Sequence, residues 1–376
     1  TTYLTPPKGA LPNPSHLVAR GTPIKVIQFS NHYVERHGHG IARYARELSA
    51  AVERSSPEIE LSRVVTRSTG VMQNDDELAA PLHRLPWGRE LTTASWMTVG
   101  WPPLERWTAA EPDVVHALAL GYPVATRKPL VVTVHDIGPL THPQFFPRFP
   151  AWLMRRGVRH LRRHADAIIC VSRATADELQ DYLGEDLGER VHVIHEGIAA
   201  VFEGGGDELD PTDCSVPGMP DAPFFLVAGA SSPRKNLVRT VAAFDRVAGS
   251  IPHHLVMVGG RGWTAGDASN QWAALQHHDR VHQLGFVSDR QLARLYRTAS
   301  GFIYTSLYEG FGLPVLEAMA SGCPVIASDI PQHREVAADA ARFVDPTDVD
   351  AIAGAFTGLA NDSEGTHELR ELGRRR

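Results

Sequence analysis

No apolar run in the 376 residues reaches the ~18 positions that a bilayer-spanning helix needs, so no transmembrane helix is expected. Cysteine is scarce. Cys170, Cys214 and Cys323 are too few and too scattered for a disulfide framework or a thiolate zinc site, and they suit a reducing cytosol. A strong charge of one sign is missing as well: 37 Lys+Arg against 43 Asp+Glu leave a formal net charge of -6 with the 19 histidines neutral. That balance speaks against a nucleic-acid protein held by bulk charge and leaves room for a local basic patch. The first 23 residues, TTYLTPPKGALPNPSHLVARGTP, lack a signal peptide's apolar h-region and are read as a loose leader, so a cytoplasmic protein is expected. What remains is an ordinary globular mixture, 43% hydrophobic and 21% charged. A chain of this length can bury a sizeable core without covalent staples, in two domains or one large one.

From residue 24 onward, short apolar runs alternate with helical patterns, which points to α/β architecture with mainly parallel strands. IKVIQFS, ELSRVV, DVVHAL, LVVTVHD, ADAIICVS and RVHVIHEG read as strands of a first half. FFLVAGA, HHLVMVGG, RVHQLGF, GFIYTS and CPVIAS read as strands of a second. Between the halves, the stretch EGGGDELDPTDCSVPGMPDAP is rich in Gly, Pro and Asp and reads as a linker. The expected organisation is a leader at 1–23, a Rossmann-like domain at 24–205, a linker at 206–222 and a second Rossmann-like domain at 223–376. Doubly wound sheets bind ligands beyond the carboxyl ends of their strands, so the site is expected in strand-to-helix loops facing a cleft between the two domains. Residues 81–112 stand apart, with Trp87, Trp96, Trp101 and Trp107, several prolines and no clear period.

Five constellations fall in such loops or beside them. YTSLYEGFGLPVLEAMASGCPVIAS runs from a strand through a Gly-rich turn into a helix opening near Leu313–Pro314. The free N–H groups of Gly310, Phe311, Gly312 and Leu313 would form an anion site there. Glu309 and Glu317 bracket that turn and could accept from ligand hydroxyls, although Glu317 alone could equally be a dipole partner of the helix. AGASSPRKNL delivers Arg234 and Lys235 just before another helix, as a diphosphate clamp or a solvated basic pair. SNHYVERHGHGIARY offers Gly38 and Gly40 for close backbone approach, yet Arg43 stands where a dinucleotide fingerprint needs its third Gly, which disfavours a nicotinamide-dependent oxidoreductase. VVTVHDIGPL places His135 at a strand end, where a neutral imidazole could donate to a sugar hydroxyl or carry a proton. His37, His39 and His135 lack paired metal-ligand spacing, and no metal is expected. AWLMRRGVRHLRRHAD crowds Arg155, Arg156, Arg159, Arg162 and Arg163 beside Trp152, Leu153, Val158 and Leu161, fitting an anionic bilayer surface or a solvated helix face.

The segment EGFGLPVLE, Glu309 to Glu317, resembles the E-x7-E motif of retaining GT-B glycosyltransferases of glycosyltransferase family 4. SPRKN, GFVSDRQLARLY, EAMASGCPVIASDIPQHREV, VHDIGPL and ADAIICVSRATADEL are similar to that family too, over roughly residues 24–360. The resemblance implies a GT-B fold with a nucleotide-sugar donor held mostly by the C-terminal domain. Arg234 and Lys235 would grip the diphosphate, and Glu317 would accept from the ribose. Glu309 would sit against the transferred sugar, and Phe286 with Val287 would meet the base through main chain. Gly40 and His135 would reach the donor from the other domain, His135 at the reaction centre. No cofactor and no metal are implied, because the Arg/Lys pair replaces a divalent ion. Further helical sequence is expected after AIAGAFTGLANDSE, where this chain has only HELRELGRRR.

GHGIARYARELS and HDIGPLTHPQFFPRFP look most like bacterial mannosyltransferases of lipopolysaccharide or other surface glycans, which implies GDP-mannose and a glycan or lipid-linked acceptor. A UDP-sugar donor or a non-catalytic nucleotide-sugar-binding protein are the alternatives. The Trp-rich stretch and the Arg-rich helix are the candidate acceptor surfaces, the second with a peripheral contact to the inner face of the cytoplasmic membrane. No nucleic-acid partner is expected.

Overall fold

The computed structural model describes residues 23–34, 40–67, 82–108, 111–146, 151–203, 215–229, 232–259 and 275–376. Two compact units divide the chain, Thr1–Glu196 and Gly197–Arg376. The boundary precedes the Gly/Pro/Asp-rich stretch, whose positions 204–214 lie outside the described residues, as do His37, Gly38, His39 and Cys214. Residues 200–202 fold with the second unit: Phe202 is buried edge-on against Tyr296 at 6.0 Å, and Arg297 donates to the Val201 carbonyl at 2.8 Å.

The first unit is built on seven parallel strands, β1 (Ile24–Phe29), β2 (Ile59–Val65), β3 (Leu82–Arg84), β4 (Val114–Ala117), β5 (Leu130–Val134), β6 (Ala167–Cys170) and β7 (Val191–Val193). Their order is β3-β2-β1-β4-β5-β6-β7, so the winding reverses between β1 and β4. The second unit carries β8 (Phe224–Ala228), β9 (His254–Val258), β10 (Val281–Gly285), β11 (Gly301–Tyr304), β12 (Val325–Ser328) and β13 (Ala341–Val344), ordered β10-β9-β8-β11-β12-β13. Here the reversal lies between β8 and β11. Helices cover both faces of such sheets, which is why β8, β11 and β12 are buried along their whole length. Each unit keeps its own core. Both sheets are therefore doubly wound, and the crevice of each opens at the carboxyl ends beside its reversal.

Two expectations about surfaces change. Trp96, on helix α1 (Arg89–Thr98), is a core residue: it packs edge-on against Phe29 at 5.3 Å and donates its indole N–H to the Pro102 carbonyl at 2.8 Å. It cannot stack on a sugar, whereas Trp101 stays 47% exposed. On helix α2 (Ala151–His164) the buried face is Met154, Gly157, Val158 and Leu161, at helical spacing. Trp152, read together with Leu153, Val158 and Leu161, lies off that face and is 56% exposed. A Cβ on Gly157 would lie 2.7 Å from the Leu120 carbonyl oxygen, so glycine sets how closely α2 approaches that loop. Cys170 and Cys323 are free and buried. Among the described residues, no helix is long and apolar enough to cross a membrane.

Candidate active site

At the reversal of the second sheet, the loops after β8 and β11 bring their charged residues together. After β8, Gly229 turns at φ 144°, a conformation side-chain-bearing residues rarely adopt. The chain then makes a single 3-10 turn, Pro233–Lys235, ahead of helix α3 (Leu237–Ala248). Asn236 caps that helix at φ 55° and fixes the turn by donating its side-chain amide to the Thr305 and Pro346 carbonyls at 3.0 and 2.6 Å. Arg234 and Lys235 are thereby aimed at the chain leaving β11, where both meet Glu309. Lys235 Nζ donates to Glu309 Oε1 at 2.7 Å and to the Tyr304 hydroxyl, which itself donates to Oε1 at 3.0 Å. Arg234 donates to Glu309 Oε2 and to the Tyr308 carbonyl.

Burial works against every charge in this cluster, and the pairing decides the outcome. Desolvation alone would raise the Glu309 carboxyl; the Arg234 and Lys235 charges outweigh it and hold Glu309 well below the usual carboxylate range. Burial lowers the Lys235 ammonium to about 8, with Glu309 pulling the other way. Tyr304 is raised well above its ordinary value by burial and by the neighbouring carboxylate, so it is a neutral donor. Within the Arg234–Lys235–Glu309 cluster two cations face one carboxylate, a local excess of positive charge that suits an anion.

The Gly-rich turn ends at Gly312, whose φ of 112° and ψ of 38° suit glycine alone, and helix α4 (Leu313–Ala320) starts there with Pro314 in its first turn. Phe311 and Leu313 are buried and anchor the turn. Glu317 is buried one turn into α4, with the Tyr296 hydroxyl donating to it at 3.4 Å. Phe286 is 62% exposed after β10, and Val287 is half-buried.

Sequence reasoning missed His333, on helix α5 (Pro331–Ala337). Its ring sits against Gly312, where a Cβ would lie 3.1 Å from Cδ2. Nδ1 faces the Ser328 carbonyl at 3.2 Å and must donate to it, which makes Nε2 a bare acceptor, buried without a partner among the described residues. Burial lowers its pKa to about 4, so the ring is neutral. Only its place in the PQHREV segment could have drawn attention to it.

In the first unit, His135 follows β5, one strand beyond the reversal of that sheet. Nδ1 lies 2.8 Å from Glu196 Oε1, and Nε2 lies 3.0 Å from the Leu118 carbonyl oxygen. A carbonyl only accepts, so Nε2 carries a proton; an ionised Glu196 requires one on Nδ1 as well. Burial lowers the imidazole's pKa, but the bond and charge of Glu196 raise it further, and the net shift is upward. His135 is thus held at both ring nitrogens, with its charged form favoured by Glu196, a partner 61 positions away that the sequence did not reveal. Tyr44 packs edge-on to the ring at 4.7 Å. His135 lines a cavity of about 140 Å³ with His32, Arg89, Tyr122, Asp136 and Met154. Gly40 opens the helix Gly40–Ser55 and is exposed, and a Cβ there would meet no heavy atom of the described residues within 4 Å. Among the described residues, no group of three or more His, Cys, Asp or Glu is placed to hold a metal ion.

Comparison with known proteins identifies the family and the fold. Residues 38–200 match the Glycosyltransferase Family 4 model, and residues 216–376 match Glycosyl transferases group 1. The O-antigen chain mannosyltransferase B of Escherichia coli is 28% identical over 361 residues, covering 86% of this chain and 88% of that protein. The serotype-specific mannosyltransferase WbdA of E. coli is 34% identical over 235 residues, 56% of this chain; the match spans only 27% of WbdA's own length. Among solved structures, Anabaena HepE in complex with UDP and glucose superposes with a TM-score of 0.70 at 18% identity, covering 94% of each chain. The fold is GT-B.

Proposed function

Because the chain belongs to the glycosyltransferases of family 4 and group 1, we propose that it moves mannose from GDP-mannose to a glycan or lipid-linked acceptor of bacterial surface polysaccharide, with retention of configuration. The Arg234–Lys235–Glu309 cluster at the reversal of the second sheet carries this reading. Breaking the sugar–phosphate bond leaves negative charge on a nucleoside diphosphate. Preorganised cations stabilise that developing charge, and the N–H groups of Gly310 to Leu313 add to them. Glu309 supplies acceptor oxygens to the sugar, Glu317 to the ribose, and the main chain at Phe286–Val287 meets the base.

Glu309 is already engaged by Arg234 and Lys235, so no double displacement through it is invoked. The reading therefore takes front-face attack, in which the acceptor oxygen forms its bond to the anomeric carbon as the diphosphate leaves. The acceptor's proton passes to the departing phosphate oxygen. His135, its two ring nitrogens held by Glu196 and the Leu118 carbonyl, fits this scheme beside the sugar rather than as the base. Arg234 and Lys235 take the role of a divalent ion, so no metal cofactor is invoked. The mannosyltransferase relatives favour mannose; the UDP in the HepE complex keeps a UDP-sugar as the second reading.

A donor panel scored by nucleotide release tests the proposal. GDP-mannose is expected to turn over fastest, with UDP-glucose behind it. Tight GDP binding with no release from any donor would instead identify a non-catalytic nucleotide-sugar-binding protein.

A further inference from the structure

Helix α2 carries a positive stripe that nothing in the donor site uses. Arg156, Arg159, His160, Arg163 and His164 are spaced three and four apart and so share one face. All five line a groove of about 440 Å³ whose other wall includes Met97, Val99 and Pro123. Like charges at these spacings repel, and none of the three arginines has a carboxylate partner among the described residues. Arg162, one step off the stripe, shows the contrast: it is bidentate to Glu185, with both bonds at 2.7 Å. His160 is oriented by donating Nε2–H to the Val124 carbonyl at 3.0 Å, and its ring lies 4.6 Å from that of His164. Opposite the cations, Val99 is 70% exposed, an apolar surface that water alone leaves uncovered.

We propose that this groove binds a phosphate ester, its phosphate on the three guanidinium groups and its organic body along the Met97–Val99 wall. Guanidinium forks match phosphate oxygens bidentately, and three of them exceed what a single carboxylate needs. The site lies within the first unit and does not depend on the donor cluster.

The test titrates inorganic pyrophosphate into histidine-labelled protein and follows the His160 and His164 ring resonances. Wild type and Lys235→Ala are both expected to show saturable shifts, which separates this site from the donor site. Arg159→Gln/Arg163→Gln should weaken the response by roughly tenfold or more, as loss of charge-assisted bonds dictates. Arg159→Lys keeps the charge without the fork and should fall between, while Arg155→Gln, outside the groove, should match wild type. Mannose 1-phosphate and phosphatidylglycerol vesicles then distinguish the source. Shifts with the first assign a soluble ester, and shifts with the second but not with phosphatidylcholine assign a lipid headgroup. Absence of any saturable shift, or an equal response in the double variant, overturns the proposal.

Discussion

Lys235 shows how burial and pairing set a working charge. With its ammonium lowered to about 8, it is mostly protonated at neutral pH and neutral a unit or two higher. GDP affinity measured by calorimetry should therefore fall as pH rises through about 8, and Lys235→Arg should lose that limb. An equal fall in the arginine variant would place the titration elsewhere. At His135 the sign runs the other way. A histidine whose pKa is raised on folding adds stability below its unfolded value and loses it as pH rises through the folded one. Glu196→Gln should thus cost more stability at about pH 5.5 than at about pH 8. It should also drop the His135 pKa in an NMR titration, since burial then acts unopposed. A titration unchanged from wild type would contradict the ion pair. Glu309, Glu317, Arg234 and Lys235 could be singled out in the sequence because they sit in strand-to-helix loops or, for Glu317, one turn into the helix that follows. Their mutual pairing could not, because Arg234 and Glu309 stand 75 positions apart.

Among elements, central strands were legible because a sheet covered on both faces demands near-continuous apolar runs, as in FFLVA and VIAS. The strands β3 and β13 escaped notice because they are short edges: LHR has one aliphatic residue, and ARFV exposes Arg342. The Trp-rich segment misled because the sequence does not say which indole turns inward. Glycines divide in the same way. A Cβ on Gly259, at φ 136°, would lie 1.9 Å from the Gly229 carbonyl oxygen, so the turns after β8 and β9 touch backbone to backbone. Gly259→Ala should destabilise by about 2–4 kcal/mol in denaturant unfolding. Gly40→Ala meets open space and should stay within about 0.5 kcal/mol of wild type. A loss of transfer activity in that stable variant would report ligand approach at Gly40, whereas full activity would remove Gly40 from the site.

For the whole molecule, a net charge of -6 excluded a bulk polyanion binder and concealed where the cations are. Each unit concentrates them locally, at Arg234–Lys235 in the second and at Arg156–Arg159–Arg163 in the first. Each unit also reverses its strand order once, and the residues of the donor cluster lie in the two loops flanking that reversal. This topology explains how a mildly acidic chain can present clustered cations to a small anion. If, as proposed, arginine and lysine supply the positive charge, a chelator should leave turnover unchanged. The most direct measurement is nucleotide release from GDP-mannose by Lys235→Ala beside wild type, with circular dichroism confirming that both are folded. Loss of a donor aimed at the leaving group predicts a fall of about 10²–10³ in turnover; turnover near that of wild type would contradict the assignment of the cluster as the diphosphate clamp.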